Sequence, residues 1–421
     1  MEKAHNLQIE APQLVEYCDL VIVRAFNAVF LVYVAILLIL PFGALAGMNV
    51  KVIILLLLSV LTIASGNAYG LCSYRSLLSI LMTIGPLFLW VVLGMWNGFN
   101  VTMVMSQFRD IAVTIIGCWL TALYISKHPG NKRLFMRTVI WSVSTTAAIK
   151  CVLIVYSLKT GVPVSSAIFH SLFITTDLNS LDIGLGRIQF ISDGILPICL
   201  FALQTRRREI GIGPVSALLI TFLYFISVTI SFSRFLWVYA ILAFVLGIII
   251  AKKELIHGFY IVLIGGVSIT NFAILQSLFE YRFSENVAGT SDVERTEQLR
   301  ALIVFIKDAP FFGHGLGSYT TTVIRSIELP YSYELQLVAL VGQIGLMGTL
   351  MLFMALAAYC NGIVMNKTVS IYYRVSLGIL LAVWIIGGLT NPLLMSSTAS
   401  VTYGTLYVLI GVSAGKDIVP T

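Results

Sequence analysis

About twelve apolar runs follow one another along this chain, and most are long enough to cross a lipid bilayer. They fall near residues 25–46, 50–67, 76–96, 109–126, 136–158, 188–204, 213–232, 234–251, 254–274, 336–361, 372–391 and 396–415. Crossing the hydrocarbon core takes roughly twenty helical residues. In lipid each backbone N–H and C=O needs a partner within the protein, so isolated runs of this kind must be helices. Only 11% of the residues are charged and 58% are hydrophobic, against about 25% charged in soluble domains. The expected fold class is all-α. The chain reads as a polytopic integral membrane protein of about twelve transmembrane helices, with 1–421 as a single multi-span membrane domain. A β-barrel would show short alternating segments instead.

The net charge of +7 raises nucleic acid as a partner, but the distribution of the charge argues against it. Arg75, Lys127, Lys132, Arg133, Arg137, Arg206, Arg207, Arg208, Lys252, Lys253, Lys367, Arg374 and Lys416 occupy alternate loops of the twelve-run count. The positive-inside rule then puts both termini and these loops in the cytoplasm. Anionic lipid headgroups and anionic lipid-linked substrates remain as partners. The six cysteines, Cys18, Cys72, Cys118, Cys151, Cys199 and Cys360, lie in or beside apolar runs without CxxC spacing, which reads as core packing rather than a metal site. The first twenty residues are polar and lack a signal-peptide layout, so the first run is expected to be an uncleaved anchor.

Two larger segments remain for the outer side, 159–187 and 275–335. The second is a large extracytoplasmic loop that concentrates polarity: Arg282, Glu285, Asp292, Glu294, Arg295, Glu297, Arg300, Lys307, Arg325, Glu328 and Glu334. Within it, Thr296 to Asp308 reads as a short amphipathic helix, with Leu299, Ile303 and Ile306 at helical spacing and Pro310 ending it. Such a helix lies along the membrane surface or folds over a cavity. The run Phe311-Phe312-Gly313-His314-Gly315-Leu316-Gly317 follows as a glycine-rich turn. Asp292, Glu294 and Glu297 stand beside Arg295 and Arg300, which suits a solvated, salt-bridged helix start better than a metal cluster.

Several charges fall at the outer ends of spans. Arg234 sits in SFSRFLWVYAI between two apolar runs, either snorkelling to the interface or facing an inward cavity as a fixed cation. Arg187 and Asp193 flank the start of another run, and Glu334 opens the tenth. Lys150 lies within the fifth, as a buried partner or a snorkelling residue. Arginines gathered round one membrane-level cavity suit a diphosphate, because the guanidinium keeps its charge and offers paired donors.

The stretch from Ser231 to about Gly348 resembles the bacterial O-antigen ligase/polymerase family, which includes Wzy-type polysaccharide polymerases and the ligases that join O-antigen to lipid A-core. Three segments carry the resemblance: SFSR ending at Arg234; Arg295 followed by a helix and the turn from Pro310 to Gly317; and Glu334 running into Gly345 and Gly348. Arg187 in GLGRIQFISDG is similar to an arginine the family often has before a middle span. Residues 1–180 agree only in hydropathy. Ligases of this family have a histidine where the third segment opens; counted back from Gly345, this chain has Glu334. That departure points toward a polymerase.

The resemblance implies a GT-C-like glycosyltransferase, working without metal or other cofactor at the outer face of the bacterial inner membrane. Its donor would be a polyprenyl-diphosphate-linked oligosaccharide and its acceptor another lipid-linked repeat unit, with membrane lipids and a chain-length regulator as further partners and no nucleic acid. Arg234 and Arg295 are the candidates for holding the diphosphate, with Arg187 and Arg300 as additional ones. Glu334 is the candidate general base, or else a helix-start carboxylate favoured by the macrodipole. Tyr319, Tyr331 and Tyr333 stack on sugars or mark the interface. The alternatives are a ligase transferring to lipid A-core and a twelve-span transporter or flippase. A transporter built of two similar halves usually has a long central connection, whereas TRRREIGIG is short. A non-catalytic scaffold leaves the deep arginines unexplained.

Overall fold

The computed structural model describes residues 11–40, 44–45, 48–64, 74–127, 129–160, 175–176, 187–251, 285–327, 329–365 and 369–411. Over these the fold is helical: α1 (Ala11–Ile39), α2 (Val50–Ala64), α3 (Tyr74–Ile84), α4 (Leu87–Trp96), α5 (Val101–Lys127), α6 (Pro129–Thr160), α7 (Leu196–Ile210), α8 (Pro214–Ile230), α9 (Arg234–Ala251), α10 (Glu285–Asp308), α11 (Gln336–Met365), α12 (Ile371–Gly387) and α13 (Ser397–Gly411). Two short antiparallel pairs, Ala44–Leu45 with Met48–Asn49 and Thr175–Thr176 with Arg187–Ile188, are the strands among the described residues.

Among the described residues, six helical stretches are long and apolar enough to cross a membrane: Val21–Ile39, Leu78–Trp96, Val101–Ser126, Gly130–Ser157, Arg234–Ala251 and Gln336–Asn361. The chain is a membrane protein. Every expected run except 254–274, which lies outside the described residues, falls on a helix. The difference from twelve spans is one of length. Val50–Ile63, Pro214–Ile230 and Ile371–Gly387 are apolar but shorter. Helix α7 ends in the polar TRRREI, and α13 is interspersed with serine and threonine.

Two element boundaries differ from expectation. Helix α5 begins at Val101 rather than near 109, so it carries Gln107, Arg109 and Asp110 within its first turns. Helix α10 begins at Glu285 rather than Thr296. Its buried face holds Gln298 and Leu302, while Leu299 and Ile303 are exposed. The apolar stripe read from the sequence therefore faces away from the protein, as a helix lying along the membrane surface would have it. Leu302 packs with Tyr333, Leu335 and Ala339 at the start of α11, so α10 folds over the bundle end. Sequence periodicity could not reveal which face meets α11.

The largest core cluster joins α1, α6, α7, α8, α9, α12 and α13. Lys150 is fully buried within α6 and pairs with Asp193, which also accepts from the Phe190 N–H at 2.9 Å. An intramembrane ammonium is costly unless paired, which settles Lys150 as a buried partner.

The glycine-rich turn locks one end of the bundle. Helix α11 is broken at Gly345, whose φ of 68° is left-handed. The break lets the turn pair with it: His314 and Gly315 donate to the Gly342 and Gln343 carbonyls at 3.0 and 2.8 Å, and Leu346 donates to Pro310 at 3.0 Å. On its other side Leu316 N–H donates to the Trp90 carbonyl, and the Trp90 indole donates to Phe312 O at 2.7 Å. Gly315, with φ 93°, lies so close to α4 that a Cβ would overlap the Gly94 backbone. His314 stacks on Phe305 and bonds its carbonyl, a packing role.

Candidate active site

A cavity of about 1010 Å³ opens where the starts of α5, α9 and α11, the end of α12 and the lead-in to α13 come together. The opposite helix ends meet elsewhere: Arg137 donates to the Ile210 and Gly211 carbonyls at 2.7 and 2.9 Å. Arg137, Ile210 and Gly211 do not line the cavity.

The link between α8 and α9 places the first arginine. Ser231 Oγ and the Trp237 indole both donate to the Val228 carbonyl, at 2.6 and 2.9 Å, and Phe232 takes a left-handed φ of 48°. This tight turn leaves Arg234 as the first residue of α9. A cation there opposes the helix dipole and calls for an acidic partner. Asp292 supplies it: Arg234 NH2 lies 2.9 Å from Asp292 Oδ1.

One turn further along α10, Arg295 joins two carboxylates. Its NH1 lies 3.2 Å from the same Asp292 oxygen, and its Nε lies 2.8 Å from Glu334 Oε2. The other oxygen of Glu334 is 3.2 Å from Arg325 NH2. Glu334 N–H meets Gln298 Oε1 at 3.3 Å, tying the segment before α11 to the buried face of α10. The cavity therefore brings Arg234, Arg295 and Glu334 together, as expected from sequence. It adds Arg325, expected only as loop polarity, and Asp292, expected in a salt-bridged helix start and found paired with Arg295.

The remaining candidates separate. Arg300 is exposed and does not line the cavity. The backbone of Arg187 pairs with Thr176, close in sequence to the lining residues Gln189 and Phe190, but its side chain lies outside the described residues. Tyr331 and Tyr333 line the cavity with buried rings. The Tyr333 hydroxyl accepts from Thr320 N–H at 2.9 Å and donates to Val323 O at 3.3 Å, so it braces the loop. Burial pushes both phenols above the usual tyrosine pKa, which keeps them neutral donors. Tyr319 packs against Phe99 and lies off the lining. The acidic group on α10 also divides: Asp292 serves the arginines, whereas Glu294 and Glu297 are exposed.

Other lining residues differ in kind: Asp110, Gln107, Gln189, Gln336, Thr390, Asn391 and Ser396 are polar and bring no arginine. Gln107 donates to Gln343, and Gln343 also donates to the carbonyls of Ser318 and Tyr331, both at 3.0 Å. Asp110 escaped the sequence reading because it lies at the edge of an apolar run. A charged residue within a span was the available signal.

Residues 219–353 match the family model described as O-antigen ligase. Over this segment, about a third of its length, the chain is similar to the O-antigen ligase/polymerase family. The matched segment holds Arg234, Asp292, Arg295, Arg325, Glu334 and the glycine turn with the break it fills. The lining residues Gln107, Asp110, Gln189, Thr390, Asn391 and Ser396 fall outside it. In comparison with curated proteins, no match was found.

Proposed function

We propose that this chain is a member of the O-antigen ligase/polymerase family and is the polymerase of a bacterial surface polysaccharide. It joins a glycan carried on polyprenyl diphosphate to a lipid-linked repeat unit at the outer face of the inner membrane, with both termini cytoplasmic. The observation that carries this reading is the position of Arg295, which touches Asp292 beside Arg234 with one nitrogen and Glu334 with another. A site for anionic leaving group and a carboxylate able to take a proton are thereby contiguous in one cavity.

In this mechanism an acceptor hydroxyl attacks the anomeric carbon of the donor. The new C–O bond forms as the bond from that carbon to the phosphate oxygen breaks, and the electron pair leaves with the polyprenyl diphosphate. Arg234 and Arg295, with Arg325 nearby, stabilise the growing negative charge, each by about a few kcal/mol when well placed. The hydroxyl proton passes to Glu334. For that, one carboxylate oxygen must exchange an arginine for the hydroxyl, and recruitment of Arg295 by the diphosphate frees Oε2. The partners on this reading are the lipid-linked oligosaccharide, membrane lipids and a chain-length regulator.

A second reading is a ligase transferring the finished glycan to lipid A-core, and the matched family model does not separate the two. It uses the same donor chemistry and differs in the acceptor. A strain lacking this protein decides between them. Single repeat units left on carrier or core support the polymerase, and long lipid-linked polymer without transfer supports the ligase. In the complemented strain, Arg234→Ala and Arg295→Ala at normal protein level should abolish long-chain polysaccharide. Wild-type chain lengths in both variants would remove the diphosphate assignment.

A further inference from the structure

Arg234 and Arg295 do not merely share a cavity; they share an oxygen. Asp292 Oδ1 lies 2.9 Å from Arg234 NH2 and 3.2 Å from Arg295 NH1. Two guanidinium groups from separate helices converge on one anionic oxygen, which is how arginines bracket a phosphoryl oxygen. A diphosphate entering between them meets the Asp292 charge at contact distance, where like charges repel. Both cannot occupy that point.

Asp292 is built to yield. Its side chain is 57% exposed, so its ion pairs lie in well-hydrated surroundings and are individually weak. Its carbonyl is held by the Thr296 hydroxyl at 2.8 Å, so the carboxylate can turn to solvent by side-chain rotation while α10 stays in place. Glu334 is the contrast, 21% exposed and contacted at each oxygen by a different arginine.

We propose that Asp292 is an internal stand-in for the substrate's phosphate. It keeps Arg234 and Arg295 converged on the phosphate position, swings out as the diphosphate enters, and competes for the arginines again when the polyprenyl diphosphate must leave. Asp292 is thus a positioning residue that sets how tightly the anion is held. The proposal rests on the reading of Arg234 and Arg295 as the diphosphate site.

The test is calorimetric titration of the full-length protein in lipid nanodiscs with inorganic pyrophosphate. Asp292→Asn should bind pyrophosphate about three- to tenfold tighter, as expected for the loss of two exposed ion pairs. Asp292→Ser, at the same exposed helical position, should shift in the same direction. Arg234→Ala and Arg295→Ala should bind at least about tenfold more weakly. Damage to the fold does not tighten binding, so the sign separates competition from a merely structural role. Unchanged or weaker binding in both Asp292 variants, with the arginine variants weakened, overturns the stand-in and leaves the diphosphate site intact. Wild-type binding in the arginine variants, or no binding by the native protein at millimolar pyrophosphate, overturns the diphosphate site and the stand-in with it.

Discussion

On the proposed function, Glu334 is the residue on which the chemistry turns. Its two oxygens are contacted by Arg295 and Arg325, which fixes the direction of the carboxylate and ties any proton transfer to movement of an arginine. Glu334→Gln keeps the shape and gives up the base, so polymer synthesis should fall by about two orders of magnitude or more, the usual contribution of a positioned general base. Glu334→His restores a base of the type that ligases of this family have, and should retain measurable synthesis. The readout is polysaccharide chain length at matched protein level, and full activity of the glutamine variant would end the assignment. The sequence reading found Glu334 by its spacing from Gly345. It passed over Arg325, because nothing in the local pattern of an irregular loop says which cavity a side chain joins.

At the scale of the element, the glycine turn and the broken helix α11 form one unit. The break at Gly345 and the left-handed residues Gly313, Gly315 and Gly317 let two backbones exchange hydrogen bonds where a continuous helix would have none to spare. Gly315→Ala meets the Gly94 backbone at an unfavourable φ. It should lower the thermal midpoint of the purified protein by several degrees, since left-handed backbone alone costs about 1–2 kcal/mol for a residue with a Cβ. Gly378→Ala is the matched control, within α12 and with open space at the Cβ position. It should leave the midpoint unchanged or raise it, because alanine is the better helix former by about 1 kcal/mol. Equal midpoints for the two variants would refute the locking role of the turn. The turn's glycines were visible in the sequence, but the partner they accommodate was not. Helix α10 shows the same limit: its existence was legible from Leu299, Ile303 and Ile306, while Leu302 faces the protein.

At the scale of the whole molecule, two groups of arginines among the described residues lie apart. Arg133 and Arg137 gather at the α7–α8 link, and Arg234, Arg295 and Arg325 gather at the cavity. With the basic loops in the cytoplasm, a cysteine replacing Thr322 should react with a membrane-impermeant maleimide added to intact spheroplasts. One replacing Arg208 should react only after the membrane is breached. Labelling in the reverse pattern would invert the topology and move the cavity to the cytoplasmic face.

The sequence by itself determined that this chain is a helical membrane protein and where most of its helices run. Lipid gives backbone groups no outside partner, so a long apolar run has little choice but to become a helix. It also marked Arg234, as a charge between two apolar runs, and, through the resemblance to a family, Arg295 and Glu334. The tertiary structure decided which charges meet. Arg234 and Asp292 are 58 residues apart and Arg295 and Glu334 are 39 apart, and their pairing follows from how α9, α10 and α11 pack. Apolar burial drives that packing but carries no direction, so the partners of each charge appear only once the helices are in place.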